Sequence, residues 1–318
     1  MREIPRHCSD TPIRPCILPN KGGRNRYLFF DPEQDRRISR HHRDIARIET
    51  AIQNNEMCLF YQPKIDMATG RTTGAEALIR WRHPDEGILP PVRFLPLIDG
   101  NALQTTLDWW VLRRAVSQIS AWRKTLDDFV VGINISAQTI QDENFTRRLT
   151  DLLQEYKVDG RLVELEILES GILEDLEAIS SVIQQCANTG ITFALDDYGT
   201  GFSTLTHIRR LPVQTLKIDQ SFVRGMLTNR DDLHIVEGVI ALAGAFELEV
   251  IAEGVETTEI GSKLLELGCR YAQGFCIAKP MVAMELVSWI ERYRIPDQWL
   301  TNGQAIQSVE NQRLSPMQ

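Results

Sequence analysis

Ile191-Thr192-Phe193-Ala194-Leu195-Asp196-Asp197-Tyr198-Gly199-Thr200-Gly201 runs from an apolar stretch into two adjacent acids and a glycine turn. An Asx-turn with glycines at positive φ explains one aspartate at that place, not two. The same design recurs along the chain. Glu76 follows Gly74-Ala75, and Asn134 follows Phe129–Ile133. Glu166 lies in Leu162–Ile167, Lys217 in Thr215–Asp219, and Glu253 follows Leu248–Ala252. Short apolar strands alternating with helical stretches imply parallel βα units. In a closed barrel of such units the strand ends share one face, where chemistry sits. Carboxylates gathered on one face repel unless a cation holds them. Their oxygen donors select Mg²⁺ or Mn²⁺ over zinc or copper. Adjacent Asp196 and Asp197 suit two cations, as a bridging carboxylate and its neighbour.

The first strand breaks the parallel rule. Met57–Lys64 and Thr73–Arg80 are separated only by a turn around Met67–Gly70. A parallel crossover needs a dozen or more residues, so these two strands form a hairpin. The first strand then runs against the others. Helices are expected at 33–54, Leu103–Arg123, Gln138–Tyr156, Leu173–Thr189, Asp231–Phe246, Thr257–Leu267 and Met284–Arg292. The last strand is expected at Cys269–Gln273. The fold class is an α/β modified TIM (β/α)8 barrel with an antiparallel first strand. Residues 1–44 read as an N-terminal extension, 45–298 as the barrel and 299–318 as a polar tail. Tyr27–Phe30 is a short strand-like run within that extension.

The chain of 318 residues accommodates one such domain of about 250 residues plus extensions. A net charge of −8 argues against a nucleic-acid polymer as partner. A small phosphate ligand stays open, because bound cations reverse the local sign. The six cysteines (Cys8, Cys16, Cys58, Cys186, Cys269, Cys276) form no CxxC pair, and Cys58, Cys186 and Cys276 lie in apolar stretches. That usage suits a reducing, cytoplasmic home. Val239–Phe246, the longest apolar stretch, is too short to span a bilayer.

Each polar residue also has a plainer reading. Glu76 alone is a solvated or salt-bridged acid, and Arg80 alone has the same status. Alternation, however, puts Glu76, Leu78 and Arg80 on one face of their strand, and a carboxylate beside a guanidinium suits an anionic ester. Asn134 is either a ligand or a buried amide closing a loop. Glu164 and Glu166 share a face, so one of them is open to a structural role. Lys217 is either a snorkelling surface lysine or, between Leu216 and Ile218, a buried one beside carboxylates. Glu253 and Glu256 are also readable as acids at the N-terminus of the next helix.

Taken together these segments resemble the EAL-domain family of cyclic di-GMP phosphodiesterases. The stretches that carry the resemblance are Tyr61-Gln62-Pro63, Glu76-Ala77-Leu78-Ile79-Arg80-Trp81, Ile133-Asn134-Ile135-Ser136 and Glu166-Ile167-Leu168-Glu169. Asp196–Ser203, Leu216–Asp219, Ile251–Thr257 and Ala272-Gln273-Gly274 continue it. The resemblance covers about residues 45–295. It implies two Mg²⁺ or Mn²⁺ ions per site. Glu76, Asn134, Glu166 and Asp196 would hold one, and Asp196, Asp197 and Glu253 the other. It implies catalytic roles for Lys217, Glu253 and Glu76, with Lys217 positioning the attacking water and Glu253 a candidate general base. Gln62, Leu78, Arg80, Asp219 and Gln273 would contact substrate. Glu169 and Glu256 would anchor loops, Glu169 that from Asp197 to Thr204, which the family uses in dimerisation.

The activity so implied opens cyclic di-GMP to linear pGpG by attack of a metal-activated water, in a homodimer. The rival is a catalytically inactive EAL domain that binds cyclic di-GMP or a protein. Its usual mark, loss of a metal ligand or of the lysine, is missing. Leu168 stands where the family usually has threonine, Tyr198 where it has phenylalanine and Phe202 where it has tyrosine. Gly23–Asp31 resembles the closing segment of GGDEF-type diguanylate cyclase domains. The signature loop of such domains is absent, which implies no cyclase activity.

Overall fold

The computed structural model of the chain describes residues 32–172, 176–200 and 205–300. The Tyr27–Phe30 run, Cys8, Cys16, the end of the Asp197–Thr204 loop and residues 301–318 of the polar tail lie outside the described residues. Among the described residues nine strands form one sheet: β1 (Met57–Asp66), β2 (Thr72–His83), β3 (Gly87–Leu89), β4 (Val130–Asn134), β5 (Val163–Leu168), β6 (Thr192–Tyr198), β7 (Thr215–Ile218), β8 (Glu249–Ala252) and β9 (Tyr271–Ala272). Their order is β1-β9-β8-β7-β6-β5-β4-β2-β3, and β1 also pairs with β2. That extra pairing closes eight strands into a barrel and leaves β3 as a short antiparallel appendage of β2.

From β2 through β4 to β9 every neighbour within the barrel is parallel. β1 is antiparallel to both β2 and β9, as the short connection after Asp66 requires. The barrel is therefore the modified TIM type expected from the sequence.

The seam is fixed at one residue. Asp66 ends β1 and organises the turn behind it, accepting from Ala68 N at 2.9 Å and Thr69 Oγ1 at 2.7 Å. Gly70 completes that turn with φ of +74°, a conformation that suits glycine. On its other side Asp66 takes a bidentate pair from Arg270, at 2.8 Å from Nε and 2.6 Å from Nη2. Arg270 immediately precedes β9, so one carboxylate ties the hairpin turn to the last strand.

Helices cover the outside because their apolar faces meet the sheet. Pro32–Gln53 packs through Ile45, Ile48, Ala51 and Ile52. Ala102–Trp122 is capped by Asn101, which accepts from Leu103 N, and buries Leu107, Val111, Leu112, Ala115, Val116 and Ile119. Trp299 is fully buried against the helix Thr258–Glu266, its indole N–H donating to Thr258 O at 2.8 Å. No described helix is long and apolar enough to cross a membrane.

The helix expected over 138–156 is two helices, Ala137–Ile140 and Phe145–Tyr156. Asp142 divides them, because its side chain accepts from Asn144 N and its carbonyl from Phe145 N. Such local bonds compete with a continuous helix. The helix expected over 173–189 is Leu176–Ala187, preceded by a short turn at Glu169–Ile172. Two six-residue helices, Leu205–Arg210 and Gln220–Gly225, and the strand β3 are additions to the sequence reading.

Burial raises the Asp66 carboxyl, but Arg270, Thr69 and Ala68 N–H outweigh it and leave it below the usual carboxylate range. Its ionised form therefore stabilises the fold fully above an unfolded-state value of about 4, and this is lost as pH falls through the lowered folded value. Asp66→Asn is expected to cost roughly 1–3 kcal/mol at neutral pH. Urea unfolding measures it, and the gap to the parent should narrow below about pH 4.

Candidate active site

Alternate residues of the barrel strands point inward and meet one another. Lys217 of β7 is the hub. It is fully buried, and its ammonium lies 2.6 Å from Glu166, 2.7 Å from Glu253, 3.0 Å from Asp196 and 3.7 Å from Glu76. The buried reading of this lysine is the one the structure gives. Glu76 of β2 accepts from Asn134 Nδ2 at 2.7 Å and from Gln273 Nε2 at 2.6 Å. Asn134 is exposed at the end of β4, not a buried amide, and its Nδ2 is the group that meets Glu76.

Two carboxylate groups converge here. One is Glu76, Glu166 and Asp196, the other Asp196, Asp197 and Glu253; within each, one oxygen per residue lies within 4.8 Å of the others. Asp196 belongs to both, at the end of β6. Asp197 next to it has a left-handed backbone, φ +53°, and its N–H donates to Asp196 Oδ1 at 2.9 Å. The positive φ turns the chain sharply so that two successive carboxylates reach the same space, although alternation in a strand would send them apart.

The electrostatics shows a shortage of positive charge. Burial, opposed by Lys217 and reinforced by Glu166 and Asp196, raises Glu76. Burial raises Glu253 well above its ordinary value, with Asp196 and Glu76 adding to it against Lys217. Burial, Asp196 and Asp219 push Asp197 up to about 7. Glu166 alone is drawn down, to about 2, because Lys217 and Lys64 outweigh its burial. Once Lys64 and Lys217 are set against Glu164 and Glu166, the carboxylates of Glu76, Asp196, Asp197 and Glu253 remain. Divalent cations relieve such an excess, and an all-oxygen donor set is that of Mg²⁺ or Mn²⁺.

Above the carboxylates opens a cavity of about 230 Å³. Gln62, Glu76, Leu78, Asp196, Glu253 and Gln273 line it from the barrel, and Gln220, Arg224 and Phe275 from the connections. A cleft of the same volume beside Trp109 sets its acids Asp151 and Glu155 among arginines, and Arg113 and Arg148 are paired with Glu155 and Asp142.

A family profile described as EAL domain matches residues 45–280. The chain belongs to the EAL domain family. It is 38% identical over 264 residues to a cyclic di-GMP phosphodiesterase of Pseudomonas aeruginosa, covering 83% of this chain and 45% of that protein. To the cyclic di-GMP phosphodiesterase PdeR of Escherichia coli it is 35% identical, covering 86% and 41%. The chain thus spans less than half the length of these two relatives. Among solved structures, the PaMucR phosphodiesterase in complex with c-di-GMP matches with a TM-score of 0.74 and 33% identity, covering 77% of this chain and 99% of that one. The EAL domain of Mycobacterium smegmatis DcpA matches with a TM-score of 0.66 and 38% identity, covering 76% and 100%.

Within this EAL domain the remaining residues singled out from the sequence fall as follows. Gln62 and Gln273 are joined, Gln273 Nε2 donating to Gln62 Oε1 at 3.0 Å, and both reach the cavity with Leu78. Arg80 does not line it; its guanidinium donates to Ile79 O at 2.8 Å and lies over Phe60. Asp219 caps the helix Gln220–Gly225 through Ser221 and adjoins Asp197. Glu169 is buried and accepts from Gly199 N at 2.9 Å, fastening the start of the Asp197 loop. Glu256 is not the cap of the next helix, which is Thr257; it pairs with Arg224 at 2.8 Å.

Four contributors escaped the sequence reading. Lys64 contacts Glu164 and Glu166, and its signal was available: it is two residues past Gln62, on the same face. Asp108 accepts from Ser136 N at 3.1 Å and Thr139 Oγ1 at 2.6 Å, pinning the segment after Asn134. Gln220 and Arg224, one helical turn apart, carry no sequence signal of their own.

Binding of Mn²⁺ or Mg²⁺ is expected to stabilise the fold by about 2.7 kcal/mol at a hundredfold excess over Kd. A thermal-shift titration reads this as a rise in Tm that Glu76→Ala and Asp196→Ala largely remove. An unchanged Tm at millimolar Mn²⁺ contradicts a cation site here.

Proposed function

We propose that this EAL domain is a metal-dependent phosphodiesterase that hydrolyses cyclic di-GMP to linear pGpG. The observation that carries the reading is the complete polar constellation: Glu76, Asn134, Glu166, Asp196, Asp197, Glu253 and Lys217 meet at the floor of one open cavity. Two relatives that are themselves cyclic di-GMP phosphodiesterases support the same substrate.

Divalent cations bound by these oxygens would supply a nucleophile at neutral pH and stabilise charge on the phosphoryl group. The protein's own part is positioning and proton handling. Lys217, paired with three carboxylates at 3.0 Å or less, has no lone pair to give, so it orients groups instead of accepting a proton. Glu253 stands at the cavity wall and takes the proton of the attacking water as general base. Glu76 holds its place through Asn134 and Gln273. Gln62, Leu78 and Gln273 would contact the ligand from the cavity wall. Contact by Arg80 would require its guanidinium to leave Ile79 O, and Asp219 would act from behind Asp197.

We also assign residues 45–298 to the phosphodiesterase barrel, 1–44 to an N-terminal extension with a linker helix and 299–318 to a tail. A homodimer is proposed through the loop that begins at Asp197 and is anchored by Glu169. A bacterial cytoplasmic setting fits the free thiols Cys58, Cys186, Cys269 and Cys276.

Turnover of cyclic di-GMP should require Mg²⁺ or Mn²⁺ and stop in excess chelator; undiminished activity there would sink the reading. Glu76→Ala and Asp196→Ala should abolish turnover. Lys217→Ala should slow it by about 100-fold or more while substrate binding persists. Binding of cyclic di-GMP with no linear product under any metal would instead mark a receptor.

Glu169→Ala should weaken metal-supported turnover although Glu169 is not a ligand, because the Asp197 loop loses its tether. A steeper Mn²⁺ requirement is the readout, measured alongside sedimentation. A strictly monomeric form as active as the dimer, or an unchanged Mn²⁺ dependence in Glu169→Ala, overturns the coupling.

A further inference from the structure

A second ammonium is buried one layer below the site. Lys64 of β1 has a side chain only 5% exposed, and its Nζ lies 2.6 Å from Glu164 Oε1 and 2.6 Å from Glu166 Oε1. Glu164 is held in turn by Thr215 Oγ1 at 2.9 Å. Glu166 is thereby gripped at both oxygens, Oε1 by Lys64 and Oε2 by Lys217. The fourth wall is Gly132: a Cβ there would stand 1.9 Å from Glu166 Oε1 and 2.6 Å from Lys64 Nζ. The absence of a side chain on β4 is therefore what lets this carboxylate and ammonium meet. The layers inside TIM barrels are usually branched apolar side chains. Replacing a buried ion pair by packed apolar groups is often neutral or stabilising, so stability alone is a weak reason for this layer.

We infer that Lys64, seated against Gly132 and neutralised by Glu164, is a positioning residue that fixes the orientation of Glu166 toward the cation site. The inference rests on the reading of Glu166 as a metal ligand. Lys64 touches neither cavity nor substrate. It acts by removing the rotational freedom of the Glu166 carboxylate, which is held against Lys217 and converges with Glu76 and Asp196. The antiparallel β1 is the element that delivers it, from the strand that also carries Gln62.

The test is the double variant Lys64→Met/Glu164→Gln. It has the same net charge as the parent and leaves no unpaired buried charge from the pair. Thermal unfolding without metal should stay near the parent value. Mn²⁺ affinity, measured by calorimetry on the full chain, should fall about 10- to 100-fold, the usual loss when an outer partner of a ligand is removed. Turnover should fall in kcat with KM nearly unchanged. Gly132→Ala is the independent route: it keeps Lys64 but its methyl group displaces Glu166, and it should weaken Mn²⁺ binding to a similar extent. Either variant that stays folded with Mn²⁺ affinity within about twofold of the parent overturns the proposal. The Mn²⁺ measurement stands apart from substrate identity. A parent that binds Mn²⁺ but leaves cyclic di-GMP intact refutes the proposed activity without touching this inference.

Discussion

Four carboxylates from four places in the chain surround the Lys217 ammonium, and the arrangement of the site follows from that contact. Glu76 comes from β2, Glu166 from β5, Asp196 from β6 and Glu253 from the end of β8. A fully buried ammonium is tolerated only when its charge is met at close range. Four acids more than meet it, and the surplus negative charge is what makes the floor of the cavity a place for divalent cations. Lysine thus serves as the permanent cation around which the exchangeable ones are arranged.

That contact depends on closure. In the sheet β6 and β8 stand beside β7 and β5 lies next to β6, but β2 is four places away from β7. Only the pairing of β1 with both β2 and β9 closes the sheet so that β2 faces β7. The closure is secured by the Asp66–Arg270 pair and by the hairpin turn that Asp66 also organises. The reversed first strand then contributes Gln62 to the cavity and Lys64 to the layer below it. Its direction therefore has a chemical consequence as well as a topological one.

Gly132 shows how tightly the interior is matched. Its missing side chain is occupied by the carboxylate of Glu166, and Glu166 in turn separates two ammonium groups. The polar layers of this barrel are packed by complementary charge and volume together. Asp197 makes a similar point at the mouth, where a left-handed backbone directs a second successive acid toward the first.

Much of this was legible in the chain itself. The alternation of short apolar strands and helices gave the barrel, because each strand must bury one face on the core and each helix must cover the other. The short connection at Met67–Gly70 forced the antiparallel hairpin, since a parallel return has no room. Acids and an amide at successive strand ends marked the face that carries chemistry. The break at Asp142, the strand β3 and the small helices were not legible, because local side-chain bonds and packing decide such short elements. Nor was the partner of each acid. Strand alternation showed only that Glu164 and Glu166 share a face, and it was the family resemblance that named Glu166 as the one at the site. Three-dimensional closure decided that Lys64 lies between them and that Glu166 alone reaches Lys217. It also decided that Arg80 turns from the cavity while Arg224 enters it. Periodicity specifies the direction of a side chain within its own element. The distance between groups on different elements depends on how the whole sheet curls and closes, and that is a property of the folded chain alone.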